Sequence, residues 1–356
     1  MDERNVLMRI DGLTTNFHTY AGVVHAVDDM TLTIPKDTVV GIVGESGSGK
    51  SVTMLSVMRL IATPPGRIEG GHVWFDGKAL DMPERMVAEG PNAGMVDLLA
   101  LPAEEMMKVR GRHIGMIFQD PMVSLNPVLT IGLQMTESMV AHGLATKDEA
   151  WKRGVEMLAL VGIPKPEERM HDYPHQYSGG MRQRVMIAMA LSCSPELVIA
   201  DEPTTSLDVT VQAQILELMK ELKGKLKSSI IVISHDLSIV AGMADKVVVM
   251  YAGRMVEEAD VFDLYEKPGH PYTIGLMKSV PRLDAEERER LVPIEGSPPD
   301  LLAPPKGCKF APRCQYAMKI CQEYEPPLVT VGMGHRARCF LHHPAAPNVA
   351  GFVKVE

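Results

Sequence analysis

The segment GESGSGKS at residues 44–51 constrains this chain more than any other. It follows the apolar run TVVGIV and opens VTMLSVMRLI, whose apolar spacing is helical. A buried strand, a glycine-rich turn ending in Lys-Ser and a helix together make a phosphate-binding loop. Gly44, Gly47 and Gly49 let the backbone turn its N–H groups inward as a nest for phosphate oxygens. Glu45, Ser46 and Ser48 complete the loop and count with it as nucleotide-binding positions. The helix beginning near Lys50 adds its positive end. The Lys50 ammonium should reach the β- and γ-phosphates, and the Ser51 hydroxyl should ligate Mg²⁺.

Around this loop, strand and helix patterns alternate, which implies an α/β core with a mainly parallel sheet. VVHAV, MTLTI and TVVGIVG read as strands, and HVWFDGKAL as a strand pair turning at Asp76-Gly77. Residues 83–108 read as a surface insertion with some helix. Residues 130–170 form a helical block with Gly143 and Gly162 at helix ends, and MRQRVMIAMALSC is a further helix. LVIADEP and IIVISHD are buried strands flanking the helix VQAQILELMKELKGKL, and DKVVVMYAGRMVEE is a hairpin turning at Ala252-Gly253. Beyond about residue 265 prolines become frequent, which suggests an extended connector to a cysteine-bearing tail. The loop occurs once and there is no internal repeat.

Composition sets outer limits. A length of 356 residues suggests two domains. With 46% hydrophobic and 23% charged residues, disorder is excluded as the main state. A net charge of −9 argues against a general nucleic-acid binder. No apolar run approaches the ~20 residues of a membrane helix, and MDERNVLMRIDG lacks the apolar core of a signal peptide. A cytoplasmic chain is expected, with any membrane role exercised through a partner.

Three further segments carry chemistry. LVIADEP puts Asp201 and Glu202 at the carboxyl end of a buried strand, where ligands of open α/β sheets bind. Asp201 suits Mg²⁺, and Glu202 suits a general base for an attacking water. IIVISHD delivers His235 to the same kind of strand end, placed to contact a γ-phosphate or to orient Glu202. In YSGGMRQR, Ser178, Gly179 and Gly180 open a helix and form a second anion site. Two anion surfaces for one loop are reconciled by a dimer, each nucleotide lying between one chain's loop and the other chain's Ser-Gly-Gly.

Cys308, Cys314, Cys321 and Cys339 cluster near the C-terminus, while Cys193 stands alone. Clustered cysteines in a reducing compartment read as a metal or cluster site before they read as disulfides. The intervals of 5, 6 and 17 residues match neither the paired spacing of zinc ribbons nor common ferredoxin runs. An iron–sulfur cluster, Zn²⁺ and free thiols all stay open on spacing alone. Pro312 with Lys309 and Arg313 suits a loop wrapped around an anionic cluster. Cys193 and most of the 26 methionines read as apolar packing.

Together these segments resemble the ATP-binding cassette (ABC) ATPases over roughly residues 5–265. GESGSGKS matches the Walker A loop, Gln119 in FQDP the Q-loop, LVIADEP Walker B, SLD at 206–208 the D-loop and His235 the H-loop. YSGGMRQR resembles the LSGGQ signature, with Tyr177 and Met181 as departures. The resemblance implies a RecA-like core with an antiparallel β subdomain and a helical subdomain at about 125–190. It implies domains 1–265 and 266–356, the second a small cysteine-rich extension. It also implies ATP hydrolysis with Mg²⁺: Glu202, His235 and Gln119 catalytic, Ser51, Gln119 and Asp201 on the metal. Ser178, Gly179, Gly180, Gln183 and Asp208 would reach nucleotide, and Tyr20 would stack on adenine, with Phe17 and His25 as competitors.

The tail segments HPYTIGLMKSVP and GCKFAPRCQYAMKIC are similar to the C-terminal extension of oligopeptide/dipeptide importer ATPases, and Met181 suits their D-type subunit. That likeness implies a peripheral subunit on the cytoplasmic face of the inner membrane. Its partners would be a second ATPase in a heterodimer, two transmembrane permeases and an extracytoplasmic solute-binding protein. Nickel, opines or sugars are alternative cargoes, and a soluble non-transport ABC protein is the more distant alternative. Some members carry a [4Fe–4S] cluster in the tail, which makes that the first reading for the four cysteines, with Zn²⁺ the alternative.

Overall fold

The computed structural model describes residues 5–205, 208–279, 293–349 and 352. Ser206 and Leu207 of the SLD segment and Val280 and Pro281 of the tail lie outside them. In chain order the strands are β1 (Val6–Thr19), β2 (Gly22–Pro35), β3 (Val39–Val43), β4 (Gly66–Asp76), β5 (Met95–Asp97) and β6 (Ile114–Ile117). They continue with β7 (Leu197–Asp201), β8 (Ser229–Ser234), β9 (Lys246–Tyr251), β10 (Arg254–Asp260), β11 (Val329–Gly332) and β12 (His335–Ala337). The chain divides into two compact units.

The first unit comes mainly from Trp74–Ile233. Its centre is a run of parallel strands, β6 beside β7 and β7 beside β8, with Ile117 opposite Ala200 and Asp201 opposite Ile233. Every residue of β7 and β8 is buried. Such continuous apolar runs fit parallel strands covered on both faces. The helices Ile131–Ala141 and Lys147–Leu160 pack against each other and against Gly179–Leu191. Thr146 and Glu149 form a reciprocal capping box that starts the second of these.

One local expectation is corrected here. HVWFDGKAL is not a hairpin turning at Asp76-Gly77. The Asp76 carboxylate accepts the Lys78 N–H at 3.1 Å and caps the short helix Gly77–Leu80. β4 pairs instead with β5, Trp74 opposite Asp97. Asp-Gly serves a helix N-cap as readily as a hairpin turn, and the distant strand decides between them.

The second unit comes mainly from Arg9–Thr33, Val39–Val73 and Ser234–Glu356. One sheet runs in the order β2-β1-β4 and another in the order β11-β12-β10-β9-β3. VVHAV and MTLTI, read as separate strands, belong to the single strand β2, in which Asp29 takes a left-handed φ of 54°. β3 and β9 are parallel, and β9, β10 and β12 are successively antiparallel.

The expected extended connector is corrected in part: residues 293–306 carry no helix or strand, but Pro271–Lys278 is helical. Helices occupy Val261–Glu266 and Pro271–Lys278, and the tail then adds β12 and β11 beyond β10. Glu257 and Glu258 of β10 are 0% and 2% exposed. Glu257 accepts from His335 Nε2 at 2.7 Å and from the Thr273 hydroxyl, and Glu258 pairs with Lys246 at 3.2 Å and Arg336 at 2.6 Å. A buried carboxylate without partners costs several kcal/mol. His335 and Arg336 of β12 bring the hydrogen bonds and the charge that offset this cost, so β12 docks on β10 in one register.

Candidate functional site

The phosphate loop leaves β3, which is buried throughout, and enters the helix Lys50–Val57. Gly49 has φ 98°, and a side chain there would place Cβ 2.5 Å from the Ala26 carbonyl oxygen. Glycine is therefore required on both steric and conformational grounds. Among the described residues, no side chain caps the helix. Lys50 is 5% exposed, and its Nζ donates to the carbonyls of Gly44 at 2.7 Å and Glu45 at 3.0 Å. The ammonium is thus folded across the loop it serves.

Glu45 is held from two directions. Its backbone N–H donates to the Tyr272 hydroxyl at 2.8 Å, and Arg313 forks onto its carboxylate at 2.5 and 2.9 Å. This carboxylate holds the Arg313 guanidinium well above its ordinary pKa. Sequence alone gives no sign of this contact, because the partners are 268 positions apart.

In the first unit, Asp201 closes β7 and is 6% exposed. Glu202 follows with a left-handed φ of 47°, and its N–H donates to the Ile233 carbonyl at 3.0 Å. Its Oε2 accepts from Gln119 Nε2 at 3.1 Å and from Thr205 Oγ1 at 2.9 Å. Gln119 and Glu202 are thus brought together. Thr205 was missed, and the only signal for it was its place just beyond the Asp-Glu-Pro turn. Asp201 offers the anionic oxygen that Mg²⁺ prefers, as Ser51 in the second unit offers a neutral one. His235 stands exposed just after β8, where Asp236 caps the next helix through Ser238 N–H at 2.8 Å.

Ser178 caps the helix Gly179–Leu191, its hydroxyl accepting from Met181 N–H at 3.3 Å. Tyr177 is 3% exposed and donates to the Arg169 carbonyl at 2.7 Å; burial pushes its hydroxyl up to about 12. The departure at Tyr177 is therefore a packing residue. Gln183 is 2% exposed, so its side chain lies inside the unit. Asp208 caps the helix Val209–Leu226 through Val211 N–H at 3.0 Å. Tyr20 stands fully in solvent at the turn between β1 and β2, whereas Phe17 packs against Gly66.

All four tail cysteines line one small cavity of about 20 Å³, together with His270 and Phe310. Burial pushes the Cys308 thiol up to about 11 and the Cys339 thiol up to about 12. Backbone N–H groups beside the sulfurs work against that rise: those of Phe310 and Ala311 at Cys308, Tyr316 at Cys314 and Leu341 at Cys339. Among the described residues, no three His, Cys, Asp or Glu side chains converge on a single-ion position. Lys309 and Arg313 do not face the cysteines as expected. Lys309 donates to Asp28 at 2.7 Å and Arg313 to Glu45. Each cation follows a carboxylate and not the thiol pocket.

The ABC transporter family profile matches residues 27–205, half the chain. The chain belongs to the ABC transporter family of ATPases. A second profile, the oligopeptide/dipeptide transporter C-terminal region, matches residues 256–321 of this ABC ATPase. The oligopeptide transport ATP-binding protein OppD of Bacillus subtilis is 50% identical over 343 residues, covering 96% of this chain and 91% of that protein. OppD of Salmonella typhimurium is 49% identical over 336 residues, covering 94% of each. Among solved structures, the dimeric post-hydrolysis state of the ATP-binding cassette MJ0796 with ADP and Pi aligns with a TM-score of 0.60 at 24% identity. That alignment covers 72% of this chain and 99% of that one, a likeness of fold. Among the described residues, no helix of this ABC ATPase is long and apolar enough to cross a membrane.

Proposed function

We propose that this ABC ATPase powers uptake of di- and oligopeptides as the D-type ATPase of an importer. The likeness of its tail to the oligopeptide/dipeptide transporter region and its 50% identity to OppD support that reading. The observation that carries the chemistry is the Glu202 carboxylate, held by Gln119 and Thr205 at the end of a buried strand. Glu202 takes the proton from the attacking water, and Gln119 fixes the carboxylate and ligates the metal. Lys50 and the amides of residues 44–51 hold the phosphates. His235 contacts the γ-phosphate. Ser51, Asp201 and Gln119 would hold Mg²⁺, which would neutralise phosphate charge. Ser178, Gly179, Gly180 and Asp208 serve the nucleotide on the partner ATPase, Tyr20 stacks on adenine, and Gln183 packs within its helix.

ATP contacts both ATPases, so it favours the closed dimer, and hydrolysis releases those contacts. The partners are a second ATPase in a heterodimer, two permeases and an extracytoplasmic solute-binding protein, with this chain on the cytoplasmic face of the inner membrane. Residues 1–265 form the nucleotide-binding domain, with its helical part at about 125–190, and residues 266–356 form the extension. Cys308, Cys314, Cys321 and Cys339 would hold a [4Fe–4S] cluster, with Zn²⁺ the alternative. The common cavity and the backbone N–H groups beside three of the sulfurs support this, since such groups stabilise thiolate ligands. Such a group would supply a covalent staple for a small region with little core of its own.

Uptake of a labelled tripeptide in cells carrying Glu202→Gln tests the function. Loss of uptake with the protein still present supports it. Unchanged peptide uptake with failed nickel, opine or sugar uptake would reassign the cargo.

A further inference from the structure

We infer that residues 294–313 of the tail form a wall of the nucleotide cleft, and that Arg313 is a positioning residue that sets the phosphate loop through Glu45. The inference rests on the assignment of residues 44–51 to ATP. A cleft of about 170 Å³ is lined by residues 45–48 of the loop and by Pro298, Pro299 and Leu301 of the tail. Phosphate-binding backbone on one part of its surface and apolar proline and leucine on another match the two chemistries of a nucleotide. One end is a polyanion and the other a flat, weakly polar base.

The tail segment is anchored on both sides of that cleft. Toward β2, the Leu301 carbonyl accepts from His25 N–H at 3.0 Å. Leu302 lies 3.4 Å from the Cβ position of Gly22, two residues beyond the exposed Tyr20. Toward the phosphate loop, Arg313 is held by the carbonyls of Glu295 at 3.1 Å and Ile294 at 3.2 Å and by the Tyr251 hydroxyl at 3.3 Å. Its side chain is 4% exposed. A guanidinium fixed by so many acceptors presents its fork to Glu45 in one orientation. The Glu45 carbonyl in turn accepts the Lys50 ammonium at 3.0 Å. The path from tail to phosphate is therefore Arg313, Glu45, Lys50. By linkage, a tail that helps bind nucleotide is itself tightened when nucleotide binds.

The test measures Mg–ATP binding to the full chain by displacement of a fluorescent ATP analogue. Arg313→Ala should weaken binding about ten-fold, the scale of one charge-assisted pair. Glu45→Gln combined with Arg313→Ala should be no weaker than Arg313→Ala alone, whereas a merely structural arginine would give additive losses. Leu301→Trp provides the second arm. Its added emission, taken against the unsubstituted chain, should change with Mg–ATP and not with Mg–tripolyphosphate, which lacks the adenosine. Unchanged affinity in Arg313→Ala, an additive double variant, or an added indole emission blind to Mg–ATP in Leu301→Trp would each overturn the inference. If Arg313→Ala does not fold, the Leu301→Trp readout decides. Lys50→Ala tests the ATP assignment separately: if it leaves binding intact, that assignment has failed and not the tail wall.

Discussion

Gln119 Nε2 and Thr205 Oγ1 both donate to one oxygen of Glu202, at 3.1 and 2.9 Å. Glu202 is also held at φ 47°, a conformation that costs a non-glycine residue about 1–3 kcal/mol and persists where the surroundings enforce it. The N–H of Glu202 on the Ile233 carbonyl is part of that enforcement. A carboxylate fixed in backbone and side chain is suited to take a proton from a defined direction.

Glu202→Gln is expected to lower ATP turnover by ~10²–10⁴, the usual worth of a general base. Binding of Mg–ATP should persist, because the phosphate loop is untouched. Single-turnover hydrolysis beside equilibrium binding separates the two effects; near-normal turnover would remove Glu202 from the base role.

Thr205→Val keeps the shape and removes one donor to the Glu202 carboxylate. Turnover should fall about 10- to 100-fold, in line with a loss of about 1.5–3 kcal/mol for a hydrogen bond to a charged group. Thr205→Ser should restore most of it. Equal rates for Val and Ser would show that the hydroxyl does not matter.

Tyr177→Phe should leave nucleotide binding and turnover unchanged while costing about 1 kcal/mol of stability. The buried hydroxyl donates to the Arg169 carbonyl, so its work is done inside the packing of the first unit. Thermal unfolding and ATPase rates measured on the same preparation check both parts.

Asp28 links Arg254 of β10 to Lys309 of the tail at 2.9 and 2.7 Å. Burial alone would raise its pKa, but the hydrogen bonds and charges of Arg254 and Lys309 outweigh it and hold the carboxyl at about 2. A depressed carboxyl stabilises the fold above its ordinary value of 3.8, and that stability is lost as pH falls through about 2. Asp28→Asn should therefore destabilise by about 1–3 kcal/mol at neutral pH. The gap from the unsubstituted chain should close only on acidification below about pH 4. Denaturant midpoints along a pH series measure it, and a gap that persists undiminished at about pH 2 would count against the ion pairs as its source.

Anaerobic purification should give protein containing iron and sulfide, with broad absorbance near roughly 400 nm from thiolate-bound iron. Cys339→Ser should bleach it, since Cys339 lines the cavity it shares with the other three thiols. Colourless protein with stoichiometric zinc would assign the thiols to Zn²⁺ instead.

The legible parts of this chain were those whose physics is local. A strand, a glycine turn and a helix in succession announced the phosphate loop. Ser178 and Asp208 sit next to the helix starts they cap. Errors arose where one short pattern served two structures. Asp76 could begin a turn or a helix, and pairing of Trp74 with Asp97 settled it. Asp29, with its left-handed φ, broke the alternation of β2 and made one strand read as two.

The tail marks where sequence stopped and tertiary structure took over. Residue types and spacing alone determined that this chain carries one phosphate loop, one acidic strand end and four clustered cysteines. They did not determine that Arg313, one residue from Cys314, turns to Glu45, 268 positions earlier. Nor did they show that β12 completes the surroundings of Glu257 and Glu258. A buried charge takes whichever opposite charge the folded backbone brings within reach, and that choice depends on distances in space that sequence separation does not encode.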